Sequence, residues 1–152
     1  MKDKNLFNES DYTFFDFDET ANTRKCATPT DGFQIYTMKN AKSSNHTLTI
    51  GSDISKIIER KGLGMMRIRV DNITGQIHAV FNNEKGKKLG RSNGSRNYRI
   101  CGIDVVKCIL EHKNVEFNPC EEAQRYSGTC SGDLSHSDKY ATFELLDIKS
   151  LD

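Results

Sequence analysis

Proline is scarce in this 152-residue chain, occurring only as Pro29 and Pro119. No Pro-rich spacer therefore divides it. Low-complexity stretches, Ser-rich linkers and internal repeats are also missing. A single domain over 1–152 is expected, with 1–10 frayed as chain termini commonly are. No apolar run approaches the ~20 residues that cross a bilayer, which argues against a transmembrane helix and a membrane partner. Met1 to Asn8 lacks a continuous apolar core, so the N-terminus does not read as a secretory signal, and cytoplasmic residence is the expectation. Cysteine is present but unpatterned: Cys26, Cys101, Cys108, Cys120 and Cys130 are odd in number and never spaced as a zinc knuckle. Reduced thiols fit this better than a disulfide framework.

Net charge is only +1, but it is unevenly spread. Residues 1–50 hold seven acids and six bases, 51–100 four acids and eleven bases, and 101–152 ten acids and five bases. The middle third thus carries +7 and the last third −5. Such asymmetry points toward an anionic partner for the middle of the chain, provided folding does not interleave the charges.

The residues present spell out an order of elements. Met66, Ile68 and Val70 alternate with Arg67 and Arg69, the period of a strand with one buried face. A turn near Thr74-Gly75 leads to a second apolar strand, Ile77 to Phe81. Upstream, Asp11 to Phe17, Phe33 to Met38 and Thr47 to Ile50 read as strands, the last two as a hairpin. Ser52 is placed to cap a helix with Ile54, Ile57 and Ile58 as its apolar stripe and Gly62 at its end. A second helix is expected from Ile103 to Lys113, burying Val106 and Ile109 and ending at Asn114. Asn118-Pro119-Cys120-Glu121 reads as the start of a third, short helix, followed by a polar loop, 129–138, and a strand from Tyr140 to Ile148 that buries Phe143. Runs of strands without βαβ alternation predict an α+β fold: mainly antiparallel sheet with two to three short helices.

Three constellations bear on chemistry. Asp16-Phe17-Asp18-Glu19-Thr20, after Phe14-Phe15, resembles the first motif of haloacid-dehalogenase-type phosphatases, with Gly132-Asp133 and Asp138 similar to the late metal-binding motif. The resemblance implies an Mg²⁺-dependent phosphatase with Asp16 as nucleophile and Asp18 as general acid/base. Cys120, Cys130 and His136 offer three potential metal ligands, although the spacing is not that of a structural zinc site. Cys101 and Cys108, around an apolar helix, are expected to fill core.

The third constellation is a basic Gly-rich loop over 83–99, with Lys85, Lys87, Lys88, Arg91, Arg96 and Arg99 and no acid among 85–99. Glycines let a backbone approach phosphate, and Arg supplies a planar fork. The spacing is not that of a P-loop. Arg67 and Arg69 would flank this loop, with His78 beside them, and Tyr98 could stack on a base. The expected function is non-enzymatic binding of an anionic ligand, a nucleic acid or a nucleotide-like small molecule, without cofactor or metal. A protein-interaction or inhibitor module is the alternative, and the phosphatase a third. The candidate ligand-binding residues are Arg67, Arg69, Lys85, Lys87, Lys88, Arg91, Arg96, Tyr98 and Arg99.

Overall fold

A computed structural model describes residues 28–39, 44–91 and 95–151. The expected strand at Asp11 to Phe17 lies outside them. The elements are β1 (Gly32–Lys39), β2 (Ser44–Ile50), α1 (Ser52–Lys61), β3 (Met65–Val70), β4 (Ile77–Asn82), β5 (Lys87–Lys88), β6 (Arg99–Cys101), α2 (Ile103–His112), β7 (Gln124–Cys130) and β8 (Ala141–Ser150). The strands form one sheet in the order β5-β3-β4-β8-β7-β1-β2-β6, every pair antiparallel.

The α+β expectation is corrected here. The two ends of this sheet approach each other: Gly90, just past β5, exchanges N–H···O bonds of 2.8 Å in both directions with Arg99 at the start of β6. The sheet therefore curls into a nearly closed barrel rather than lying flat under a helical layer, with 43% strand against 17% helix. An eight-stranded barrel has an interior about wide enough for side chains. Phe33, Ile35, Leu48, Phe81, Phe143 and Leu145, all at or below 1% exposure, occupy the core. Both helices add to this core through Ile54 and Ile58 of α1 and Val105, Val106, Ile109 and Leu110 of α2. Curvature has a local source. The β7–β8 register shifts between Ser127 and Thr129, a bulge that bends the pair. Past it the β7 ladder continues through Leu146 and Leu145, and Ala141 to Glu144 of β8 pair with β4.

The alternation read from the sequence sets which side chains face in. Met66 pairs with Phe81 and Ile68 with Ala79, while Phe81 pairs with Ala141 and Ala79 with Phe143. These inward rows force Arg67, Arg69, His78, Val80, Thr142 and Glu144 onto the outer face. Val70 departs from expectation at 38% exposed; it is the last residue of β3, beside the turn that leads to Ile77. Ile57 and Ile68 are only partly buried.

Helix α1 ends as its sequence indicates. Gly62 is left-handed at φ 69°, its N–H donates to Glu59, and Leu63 N–H donates to Ile58 while its side chain is buried. Its start differs: Gly51, not Ser52, is the N-cap, and the first-turn N–H of Asp53 donates to the Thr30 carbonyl at 2.9 Å. A side chain at Gly51 would meet the Pro29 and Thr30 carbonyl oxygens, so backbone takes the capping role. Residues 118–123 form no helix. Lys39 N–H donates to the Cys120 carbonyl, and the chain from Gln124 is held by β1 on one side and β8 on the other. Two ladders outweigh a helix start that has no apolar stripe behind it.

One buried group makes the fold sensitive to acid. His46 on β2 is 7% exposed; its Nδ1 is bonded to Thr37 Oγ1, and its Nε2 has no partner among the described residues. Burial, and secondarily the charge of Lys39, hold its pKa below the ordinary 6.5. The unfolded chain binds this proton near that pH, whereas the folded chain binds it only lower down. The contribution of neutral His46 to stability is therefore complete above about pH 6.5 and is lost as pH falls below it. We expect the urea midpoint to drop between pH 7 and pH 5, and His46→Gln to flatten that dependence. Equal slopes for the two proteins would remove His46 as the cause.

Candidate functional site

A filled barrel leaves recognition to its surface. On the outer face of β3, β4 and β8 lies a concavity of about 420 Å³ lined by Arg67, Arg69, Val80, Leu134, Ser135, Tyr140 and Thr142. That volume falls within the range of small-ligand sites. Val80 and Thr142, paired across β4 and β8, and opposite Arg67 on β3, lie in the same outward row. Leu134, Ser135 and Tyr140 come from the segment between β7 and β8.

That segment is anchored from a distance. Lys61, in the last turn of α1, places its Nζ 2.7 Å from Asp133 Oδ2, and also donates to the carbonyls of Ser137 at 2.9 Å and Tyr140 at 2.8 Å. The paired side chains retain only 11% and 17% of their exposure. Asp133 Oδ1 accepts from the N–H groups of Ser135 and Thr142. Burial pushes the Asp133 carboxyl up, but the Lys61 ammonium and the two N–H donors together hold it below its ordinary value. One lysine thus fixes both ends of the turn that carries Leu134 and Tyr140.

The opposite wall is cationic. Arg69 Nε donates to His78 Nδ1 at 3.0 Å, and His78 Nε2 lies 3.1 Å from Gln76 Oε1. Arginine can only donate, so Nδ1 is the acceptor, and the His78 ring proton sits on Nε2 facing the Gln76 oxygen. His78 is 4% exposed and cannot swing away. Arg67 has its stem against Gly86: a Cβ there would lie 3.0 Å from Arg67 Cγ and 2.2 Å from the Met66 carbonyl oxygen. Neither arginine has a carboxylate partner among the described residues.

The sequence-predicted basic residues divide among two hollows, two ion pairs and exposed positions. Lys87 is paired with Asp104 of α2 at 2.8 Å. Arg91 pairs with Glu59 of α1 at 3.0 Å and lies over the Tyr98 ring, 4.0 Å from its centre. Tyr98 is thereby occupied by an internal cation. Lys85, with Gly86 and Lys87, borders a shallower hollow of about 270 Å³ on the other side of Arg67. Lys88, Arg96 and Arg99 are exposed. The expected free Gly-rich loop is instead barrel wall: Lys87 and Lys88 form β5, and the Gly90 N–H is used in closure. Residues 92–94 lie outside the described region.

The remaining candidates separate. Asp16 and Asp18 lie outside the described residues, as does Cys26. The antiparallel barrel is not the doubly wound parallel sheet the phosphatase resemblance implies, and Asp133 is committed to Lys61. Cys120, Cys130 and His136 do not gather: no cluster suited to a metal occurs among the described residues. Burial, then Asp31, pushes the Cys130 thiol up to about 12, so it stays protonated at neutral pH. Cys101 and Cys108 are exposed rather than core. A further hollow of about 500 Å³, lined by Lys39, Ser44, Asn45, His46, Cys101, Gly102 and Ile103, offers one lysine among the described residues.

The sequence reading missed Lys61 as an anchor and Leu134, Ser135 and Tyr140 as wall. No local signal marked them, since Lys61 and Asp133 meet across 72 residues. No family model, curated protein or solved structure matches this chain. The described helices include none long and apolar enough to cross a membrane.

The anchor makes a direct prediction. Lys61→Met should strand the desolvated Asp133 and cost roughly 3 kcal/mol in urea unfolding, at the low end for breaking a buried pair. Asp133→Asn, which keeps an oxygen for Ser135 and Thr142, should cost less. The reverse order would show that the Asp133 charge, more than the Lys61 ammonium, holds the segment.

Proposed function

We propose that the protein binds an anionic, phosphate-bearing ligand in the concavity walled by Arg67 and Arg69. One observation carries this reading: these two guanidinium groups face a hollow without a carboxylate partner among the described residues, while Lys87 and Arg91 of the basic segment each have one. Uncompensated arginines beside an apolar wall suit a ligand with a charged end and a flat or apolar body. Lys85, next to Arg67 in the neighbouring hollow, adds to the positive field. The reading keeps the anionic ligand expected from the charge distribution but moves its centre from the Gly-rich segment to strand β3. Both nucleic acid and a nucleotide-like small molecule belong to this ligand class.

A second reading has its own observation. Leu134 at 47% and Tyr140 at 36% are exposed beside the two arginines, a mixture that also suits an acidic segment of a partner protein. Binding that survives nuclease treatment and is not competed by phosphate compounds would favour it.

Replacing Arg67 and Arg69 together with Ala should weaken phosphate-ligand binding by roughly 3 kcal/mol, the range of one to two charge-assisted hydrogen bonds, measured by calorimetry at fixed salt. The triple replacement of Arg91, Arg96 and Arg99 should leave affinity within about tenfold and mainly lower the salt dependence, by about 0.9 for each duplex phosphate no longer neutralised. If the triple variant loses binding and the double does not, the site belongs to the Gly-rich segment after all.

A further inference from the structure

We infer that the ligand is a small phosphate monoester carrying a planar ring, a mononucleotide-like dianion, rather than a diester strand; this rests on the binding reading above. Three features of the concavity converge on it.

The first is charge. Two guanidinium groups sit two residues apart on one outward strand face, with no acid in the lining among the described residues. A monoester near neutral pH carries up to two negative charges, since its second ionisation lies near pH 6. A diester phosphate or a single carboxylate carries one and would leave a cation unmatched.

The second is donor geometry. The Arg69 Nε is already given to His78, and His78 is fixed by Gln76. What Arg69 retains for a ligand is its terminal pair of nitrogens, whereas Arg67 retains its whole fork. Two forks from adjacent outward positions suit the three terminal oxygens of a monoester. A diester within a strand has two such oxygens, and its ester links must continue on both sides.

The third is the opposite wall. Leu134 and Tyr140 are half-exposed, and the segment bearing them is tied down by Lys61 instead of lying loose. An apolar leucine and an aromatic ring on this segment offer a face for a planar group, and Ser135, whose Oγ accepts the Ser137 N–H, lines the hollow with them. His78 is then a positioning residue: it touches Arg69 and does not line the hollow.

Calorimetry on the full chain at pH 7.5 tests this with a graded series: the four 5′-mononucleotides, their 3′,5′-cyclic counterparts, the nucleosides, inorganic phosphate, and a 12-residue oligonucleotide with free 5′- and 3′-hydroxyls. The expected order is 5′-mononucleotide tightest, inorganic phosphate weaker through loss of the ring, and cyclic nucleotide weaker than its 5′ counterpart by roughly tenfold or more, as loss of one charge at an exposed site implies. Nucleosides should not bind measurably. His78→Phe should weaken the mononucleotide while leaving cyclic nucleotide less affected, a difference that a merely structural role would not produce. Cyclic nucleotide or oligonucleotide binding as tightly as the mononucleotide, yet lost in the Arg67→Ala, Arg69→Ala variant, would overturn the monoester inference and leave the anion site standing. Failure of every anion in the series to bind would overturn both.

Discussion

Two hydrogen bonds between Gly90 and Arg99 join the ends of an eight-stranded sheet, and much of the surface chemistry follows from that closure. A barrel of this size is filled by its own side chains. Closure also draws the basic segment into the wall, where Lys87 and Arg91 come within reach of Asp104 and Glu59 on the two helices. One glycine there serves packing. Gly86, at φ 131°, sits against the Met66 carbonyl where no side chain fits. Gly86 is thus accounted for by the approach of one strand to another.

The Lys61–Asp133 pair is the second constraint, and its energetics differ from those of the exposed pairs. Arg91–Glu59 and Lys87–Asp104 retain much of their solvent and contribute little to stability. Lys61 is desolvated, and its ammonium is matched by one carboxylate and two carbonyl oxygens, so all three of its protons have acceptors. Such a pair adds modest net stability when intact but is costly to break on one side only. Its structural effect is to specify one conformation for 133–140. The wall opposite Arg67 and Arg69 is therefore built by a helix terminus that does not itself line the concavity.

How much of this was legible in the sequence divides along sequence distance. The alternation of Met66 to Val70, the isoleucine stripe of α1 and the left-handed Gly62 all express local periods or a single backbone preference, and they match the elements observed. Strand β7 did not announce itself. Gln124–Cys130 has little apolar content, and Asn118-Pro119 carries a helix-start pattern; pairing on both flanks overrode it. Barrel closure was invisible for the same reason, since it depends on β4 meeting β8 and Gly90 meeting Arg99. Arg67 and Arg69 were legible as an outward face because burial of Met66 forces it. That Arg91 and Lys87 are neutralised was not, because their acids lie on distant helices.

On the proposed reading, the contrast between strand and surface bases divides the work of recognition. A flexible lysine loses about 2 kcal/mol of rotamer freedom when fixed on a ligand, which offsets much of a solvent-exposed ion pair. Arg69 has already lost part of that freedom to His78, so binding costs it less. Lys88, Arg96 and Arg99 remain exposed and keep their mobility. They act at range, raising the local concentration of anions and the encounter rate, and their effect falls within a Debye length as salt rises. Discrimination among anions then rests with the two strand arginines, whose positions are set by the inward packing of Met66 and Ile68 between them.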